Sequence, residues 1–594
     1  MKLLRTARAL TLLLAALLLF NTHASRAVAP SPVQRRVSLV LTNGKIFTAD
    51  ARGTLAEAVA VENDRIVAVG TNAGIVRDYA AARVIDLRGR LVTPGFNDAH
   101  IHFIGGGLSL LRVELIGAKT LEEAKQRIAA KVKELPPGAW ILGRGWDHTL
   151  WGGQWPTKAD LDAVAPNNPV FVQRVDGHVS WVNSLALKQA NVTRETRAPE
   201  GGEILHDPQG EPTGILKETA ATLVGRVVPL PTRAERMQAA ERALAEARRY
   251  GITSIHDNSG YESIELYREL LSAGKLTVRV AEWQNFEDTV ERLKQQRAEF
   301  ASFKIDPLQI RLTALKGYVD GTLGSRTAAM LAPFADDPHN SGIPRRPPEE
   351  LTRMIVERNA AGFQIALHAI GDRANRMALE GFQATVAQPS AKLVPSVGVQ
   401  TVTPAKMEIR DPSTGQTRLQ SPLRHRIEHS QVVAPTDFAR FRDLGVVASM
   451  QPAHAISDKR WAQDRLGEYR VQGAYAWHKM LSFGVRMPFG TDWPVEPINP
   501  YLGLYAAVTR QSTEGDPAGG WWPQERLSIA EAIRCYTAES AYASFEETEK
   551  GQITPGMLAD MTVHTRDLLS IKPEEILQTE AAMTILGGRV VYEK

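Results

Sequence analysis

The 594-residue chain has a single cysteine, Cys535, so no disulfide can form within it and no thiolate set is available to a structural zinc. It contains no G-x-S-x-G, which excludes a serine nucleophile carried on a strand-to-helix elbow. Nothing resembling G-x-G-x-x-G follows its first barrel-type strand, which argues against a dinucleotide-binding sheet. Dense Lys/Arg blocks are missing too: 70 basic side chains stand against 66 acidic ones, a net charge of +4, and a nucleic-acid partner is not expected. The apolar run ALTLLLAALLLF stops after 12 residues, short of the roughly 20 that cross a bilayer.

That run is nevertheless informative. MKLLRTAR places basic residues ahead of it and NTHAS places small ones behind, the order of a secretory leader over residues 1–24 with cleavage near Ala24. The protein is accordingly expected to be exported and periplasmic, with no stable membrane insertion once the leader is removed; an uncleaved anchor is the alternative. No cysteine lies beside the cleavage region, so a lipid-attached form is not expected.

At this length a single core gives way to several domains or to a large barrel with appendages. SLVLTNGKIFTAD, AVAVENDRIVAVG and ARVIDLRGRLVTPGF alternate apolar residues with Gly, Asn and Asp turns, and GQITPGMLADMTVHTRD and AAMTILGGRVVYEK repeat the style at the other end. The expectation is a small β-sandwich built from both chain ends, 37–93 with 550–594; two separate terminal sheets are the alternative. Between them the pattern becomes buried strand, polar loop, amphipathic helix. GITSIHD, LTVRVAEW, IRLTALKGYVDG, GFQIALHAIGD, RHRIEHSQ, GVVASMQP and GVRMPFGTDWP, with VTPGFNDAHIHF before them, make eight strands. Eight parallel strands alternating with helices close a (β/α)8 barrel, an α/β fold of TIM type, over 94–104 and 225–549. The stretch 105–224 after the first of these strands is far too long for a loop and reads as an inserted lid or substrate subdomain. A second insert, about 388–422, reads as a surface loop.

A barrel carries its reactive groups at the C-terminal ends of its strands, and that is where the chemistry-bearing residues fall. His100 and His102 in TPGFNDAHIHF are i and i+2, which in a strand share one face about 6 to 7 Å apart and can converge on one metal. TALKGYVDG ends in Lys316, IALHAIGD in His368, RIEHSQ in His429 and PFGTDWP in Asp492. Imidazole and carboxylate donors suit zinc or another divalent cation at neutral pH. Each has a plain structural alternative: His368 as a core histidine donating to a backbone carbonyl, Asp492 as an Asx turn, Lys316 as an unmodified lysine paired with Asp320. His425 and His429 do not form a helical zinc motif, because Arg426 stands where H-E-x-x-H needs Glu.

The order H-x-H, Lys, His, His, Asp resembles that of the amidohydrolase superfamily. TPGFNDAHIHF, GYVDGTLGSRTAA, LHAIGDRAN, HRIEHSQ and FGTDWPVEPINP resemble its family-3 branch, which includes N-substituted formamide deformylases. The resemblance implies one metal on His100 and His102 and a second on His368 and His429. It further implies a bridging N6-carboxylysine at Lys316, with Asp492 completing the first site and shuttling a proton. If Lys316 is unmodified, one metal replaces two. The implied reaction is hydrolysis of a non-peptide C–N bond, an amide or N-substituted formamide of a small molecule, by a metal-bound hydroxide with Asp492 as proton shuttle. A lactonase or esterase on the same site, or a non-catalytic periplasmic metal- or ligand-binding protein, are the alternatives. For the substrate, Arg326 is expected to meet an oxygen-rich group, and Asp176, His178 and Trp146 to line an aromatic pocket; structural roles compete for all four. A homodimer is left open.

Overall fold

A computed structural model describes residues 34–174, 179–199, 201–387, 407–410 and 417–594. The leader called over 1–24 lies outside the described residues, as do Asp176 and His178. No helix among the described residues is long and apolar enough to cross a membrane.

Seven parallel strands form the central sheet: β1 (Phe96–Ile101), β2 (Ile252–Asp257), β3 (Arg279–Asn285), β4 (Ile310–Tyr318), β5 (Gln364–Ala369), β6 (Arg426–His429) and β7 (Val447–Ser449). They lie side by side in chain order. The eighth strand expected at GVRMPFGTDWP is not a regular ladder strand, yet it closes the ring. Along 486–492 it accepts from Ala448 and Met450 at Arg486 O and Pro488 O (3.0 Å each), and Gly490 donates to Met450 O (3.1 Å). On its other edge Ala99 donates to Phe489 O (3.0 Å) and Asp492 to His100 O (2.7 Å). Gly490 permits this: a Cβ there would sit 2.5 Å from His100 N and 2.9 Å from an Asp98 oxygen. The architecture is the α/β barrel of TIM type, with the eighth position held by an extended segment bonded on both sides.

The helices follow from local sequence. Arg233–Arg249 begins at a capping box in which Thr232 and Glu235 satisfy each other's backbone N–H groups, and it buries a face of Ala239, Ala240, Ala243, Leu244 and Ala247. Small residues let helices meet closely. At Gly107, in the helix Phe103–Leu110, a Cβ would lie 2.1 Å from Ala239 O.

Both chain ends share one sheet, ordered Arg589–Glu593, Ala581–Leu586, Met561–His564, Leu91–Pro94, Lys45–Phe47, Leu55–Ala56. A four-stranded sheet of residues 35–86 packs on it through a common core that includes Leu39, Val61, Val92, Met561 and Ile585. Between β1 and β2 lies a separate six-stranded sheet, from Val113–Glu114 to Pro212–Glu218, with apolar cores of its own. In the region expected as a surface loop, Met407–Arg410 and Thr417–Gln420 pair as an antiparallel ribbon, their alternation of apolar and polar residues favouring strand over coil.

Two histidines away from the barrel mouth are buried in neutral form. His425 stacks on Phe382 and accepts from Ile365 N (3.2 Å), while His564 lies 2.9 Å from both Tyr501 Oη and Thr93 Oγ1. Burial drives both down to about 3 from an ordinary 6.5. The unfolded chain takes up these protons near pH 6.5 and the folded chain does not until about pH 3, so their stabilisation is whole above pH 6.5 and is lost as pH falls toward 3. In calorimetry at constant metal saturation, His425→Gln is expected to lose stability less steeply below pH 6 than the wild type, by up to about 1.4 kcal/mol per pH unit. Parallel curves would reject the assignment.

Candidate metal centre

The six ligand candidates converge at the barrel mouth, five of them from the positions expected. His100 ends its strand's inward face and is fully buried; Lys316 comes from β4, His368 from β5, His429 from the end of β6 and Asp492 from the eighth segment. His100, His429 and Asp492 each offer an atom within 4.8 Å of the others. The His368 and His429 rings are 4.5 Å apart, and the His100 and His429 rings 5.0 Å. His102 arrives differently from its expected strand position: β1 ends at Ile101 and His102 caps the following helix. Its ring still reaches the centre, with Nε2 3.3 Å from Asp492 Oδ1.

Two of these residues sit in backbone conformations that side chains rarely adopt, His429 at φ 74° and Asp492 at φ 57°, with Ser430 at φ 44° beside them. Conformations of this kind persist where the surroundings hold them and concentrate at functional sites. Asp98 supplies part of that hold: its carboxylate accepts from Thr491 N (2.9 Å), Thr491 Oγ1 (2.6 Å) and His100 N (3.2 Å), tying the eighth segment to β1.

Hydrogen bonds fix where the lone pairs point. His100 Nδ1 donates to Glu428 Oε2 at 2.6 Å, leaving Nε2 as the open acceptor. Arg426 secures Glu428 through Nε at 2.7 Å and spreads its other donors over His256 Nδ1, Ala99 O and Ser449 Oγ. Although burial raises Glu428, the Arg426 guanidinium and His100 hold it below the usual carboxylate range. His429 Nδ1 donates to Gln451 Oε1 (2.8 Å), and His368 Nε2 to Gly321 O (3.0 Å), so His429 presents Nε2 and His368 presents Nδ1. The carbonyl bond foreseen as the structural alternative for His368 therefore orients its free nitrogen.

The charges suit a cation. Burial, then Lys316, takes His100 down to about 4, and the same causes take His368 to about 3, so both are neutral ligands at pH 7. Burial opposes the charge on Asp492, yet the imidazoles of His102, His100, His429 and His454 hold it well below the ordinary aspartate range. Asp492 Oδ1 is buried without a hydrogen-bond partner among the described residues, 3.3 Å from His102 Nε2 and 3.5 Å from His100 Nε2. Those separations match donor atoms on one tetrahedral cation, which stand about 3.3 Å apart when each bond is 2.0–2.1 Å. The residues present fit a divalent metal.

Lys316 is the exception as it stands. Its Nζ lies 3.2 Å from His100 Nε2, where an ammonium competes with a cation for the same lone pair. Burial pushes it down to about 8. Asp320, its expected partner in the unmodified alternative, instead accepts from the backbone N–H groups of Ala329, Ile370 and Gly371 at 2.8–3.0 Å.

The substrate-side residues separate from this centre. Trp146 is fully buried in the core of the inserted subdomain, its indole donating to Val172 O (2.9 Å) and its ring near those of Trp151 and Trp181. Its expected pocket role is corrected to packing, because that small sheet needs an apolar face of its own. Arg326 lies near the surface with both its Nε and Nη2 on Asp336, at 3.1 and 2.8 Å, the structural ion pair weighed beside its substrate role. A cleft of about 420 Å³ does open on His102 and Lys316, lined by Asn258, Trp283, Asn285 and Tyr318 at the ends of β2 to β4.

Glu428, Gln451 and His454 belong to the centre and were not singled out from sequence. Glu428 is adjacent to His429 in RIEHSQ, and Gln451 and His454 lie just past β7 in MQPAHA, the position where barrel strands deliver reactive side chains.

Comparison with known proteins agrees with this geometry. The chain is 33% identical over 577 residues to Protein LONG AFTER FAR-RED 3 of Arabidopsis thaliana, covering 93% of this chain and 91% of that one. It is 28% identical to an N-substituted formamide deformylase of Arthrobacter pascens, covering 94% and 98%. Among solved structures, an uncharacterized metal-dependent hydrolase from Pyrococcus horikoshii superposes with a TM-score of 0.70 at 27% identity, over 90% of this chain and 99% of that one. The signature of the Amidohydrolase family matches residues 83–592, and the chain belongs to that family.

Proposed function

We propose that the protein is a metal-dependent hydrolase that cleaves a non-peptide C–N bond, an amide or N-substituted formamide, in a small molecule. The observation that carries this is the buried Asp492 carboxylate, which has an unpartnered oxygen 3.3–3.5 Å from two imidazoles at the mouth of the barrel. The similarity to an N-substituted formamide deformylase supports the bond type.

Zinc or another divalent ion would be held by His100, His102 and Asp492, and His368 and His429 could hold a second. Such an ion lowers the pKa of water from about 15.7 toward 7 and polarises a carbonyl oxygen. The protein's own groups do the rest. Asp492, kept ionised, accepts the proton of the attacking water and returns it to the nitrogen as the C–N bond breaks. Glu428 and Gln451 keep His100 and His429 turned toward the centre. Lys316, with its affinity for protons reduced by burial, has a larger share of free amine than an exposed lysine; addition of that amine to CO2 forms an N–C bond and, on loss of a proton, would leave a carbamate with two oxygens. The basic, apolar and small-residue order over residues 1–24 supports export of the protein.

The test is a panel of N-substituted formamides, acetamides, cyclic amides and lactones offered to protein stripped with a chelator and then reloaded. Amine release from formamides or amides is expected, lost on stripping and regained with zinc or manganese. Turnover of lactones alone would move the assignment to an esterase, and full activity after complete metal removal would reject the mechanism.

A further inference from the structure

His454 stands in the first turn of the helix Pro452–Arg470, which follows β7, and is 7% exposed. Its ring lies nearly parallel to that of His429, centroids 5.7 Å apart. Nδ1 is 3.2 Å from the side-chain nitrogen of Gln431. An amide nitrogen only donates, so Nδ1 is the acceptor and the proton of the neutral ring is on Nε2. Asp492 selects the same tautomer independently. Its Oδ2 is 3.5 Å from His454 Nε2, and a bare nitrogen there would set one lone pair against another.

The result is an N–H donor that is buried, aimed into the metal centre and without a hydrogen-bond partner among the described residues. Folded proteins seldom leave such a donor idle, and in a hydrolytic site its natural acceptor is an oxygen that gains charge during the reaction. At 3.5 Å from Asp492 it stands beside the carboxylate assigned to the proton, on the side away from His100 and His102.

We propose that His454 is a further catalytic residue, a neutral imidazole whose Nε2–H hydrogen-bonds the carbonyl oxygen of the substrate as that oxygen becomes an oxyanion. This rests on the hydrolase reading above. Water oxygen bonds to the carbonyl carbon and gives its proton to Asp492, while the π pair of the C=O moves onto oxygen and is held by Nε2–H. The pair then returns, the C–N bond breaks, and the proton on Asp492 goes to the departing nitrogen. His454 neither gains nor loses a proton.

The experiment compares wild type, His454→Phe and His454→Gln as zinc-loaded full-length proteins on an N-substituted formamide that the wild type cleaves. Loss of one oxyanion donor typically costs about 10²- to 10³-fold in kcat. His454→Phe is expected to fall by that factor with KM within about threefold, and with metal content and thermal midpoint unchanged; His454→Gln, which keeps an N–H, recovers part of the loss. Nitrogen-15 spectra of the histidine-labelled wild-type holoenzyme, assigned by difference from His454→Gln, should show a protonated Nε2 and a bare Nδ1. A bare Nε2 would make His454 a metal ligand and overturn the proposal, as would full activity in His454→Phe. A wild type that cleaves no amide rejects the hydrolase reading instead, with the tautomer still decided by the spectra.

Discussion

Asp492→Asn is expected to lower turnover by about 10³-fold, within the range that positioned acid–base groups contribute, while KM for the cleaved amide stays within a few-fold at saturating zinc. The substitution keeps the size of the side chain and an oxygen that can face His100 and His102, but removes its ability to accept a proton. The unusual backbone at this position, φ 57°, is one that Asn tolerates as well as Asp, so the fold should survive the change. Steady-state kinetics with metal content measured on the same sample separate the two contributions. An unchanged kcat would end the proton role, whereas a rate restored by higher zinc would show that Asp492 serves only as a ligand.

Lys316→Ala carries the second large effect. If the lysine acts as its carbamate, the variant loses both bridging oxygens, and activity should drop by more than the roughly 100-fold that follows removal of groups merely supporting a ligand. Metal content is expected to fall at the same time. Because the alanine leaves a gap beside His100, a short-chain carboxylate such as propionate, added at high concentration with zinc, should restore part of the rate by occupying the place of the missing carbamate. An unmodified lysine predicts the opposite: removing an ammonium 3.2 Å from His100 Nε2 should tighten metal binding. Retained or improved activity in Lys316→Ala would dismiss the carbamate.

Much of the centre was legible because a barrel converts order in the chain into position around a ring. His100, Lys316, His368, His429 and Asp492 each close a buried apolar run, and only one architecture brings the ends of eight such runs together. What was not legible depends on register across that ring. Glu428 differs from any other strand carboxylate only in standing opposite His100, 328 residues away, and Arg426 only in having, besides Glu428 on its own strand, three partners delivered by other strands of the ring. His102 was misplaced by one structural unit, since nothing in HIHF distinguishes the last residue of a strand from the cap of the next helix. The Trp-rich stretch around Trp146 misled for a related reason: aromatic residues line pockets and fill cores alike, and only the sheet they pack on decides between the two.

The pairing of Leu91–Pro94 with Met561–His564 ties together two pieces of chain that emerge from the ribosome far apart in time. Nearly 470 residues separate them, which at synthesis rates of about 5–20 residues per second amounts to roughly 20 to 90 s. Throughout that interval Ile46 and Val92, both fully buried in the finished protein, have no C-terminal partners to cover them. The chain is therefore exposed to misassociation for most of its own translation, and a cellular factor that shields apolar strands would act on it during that interval.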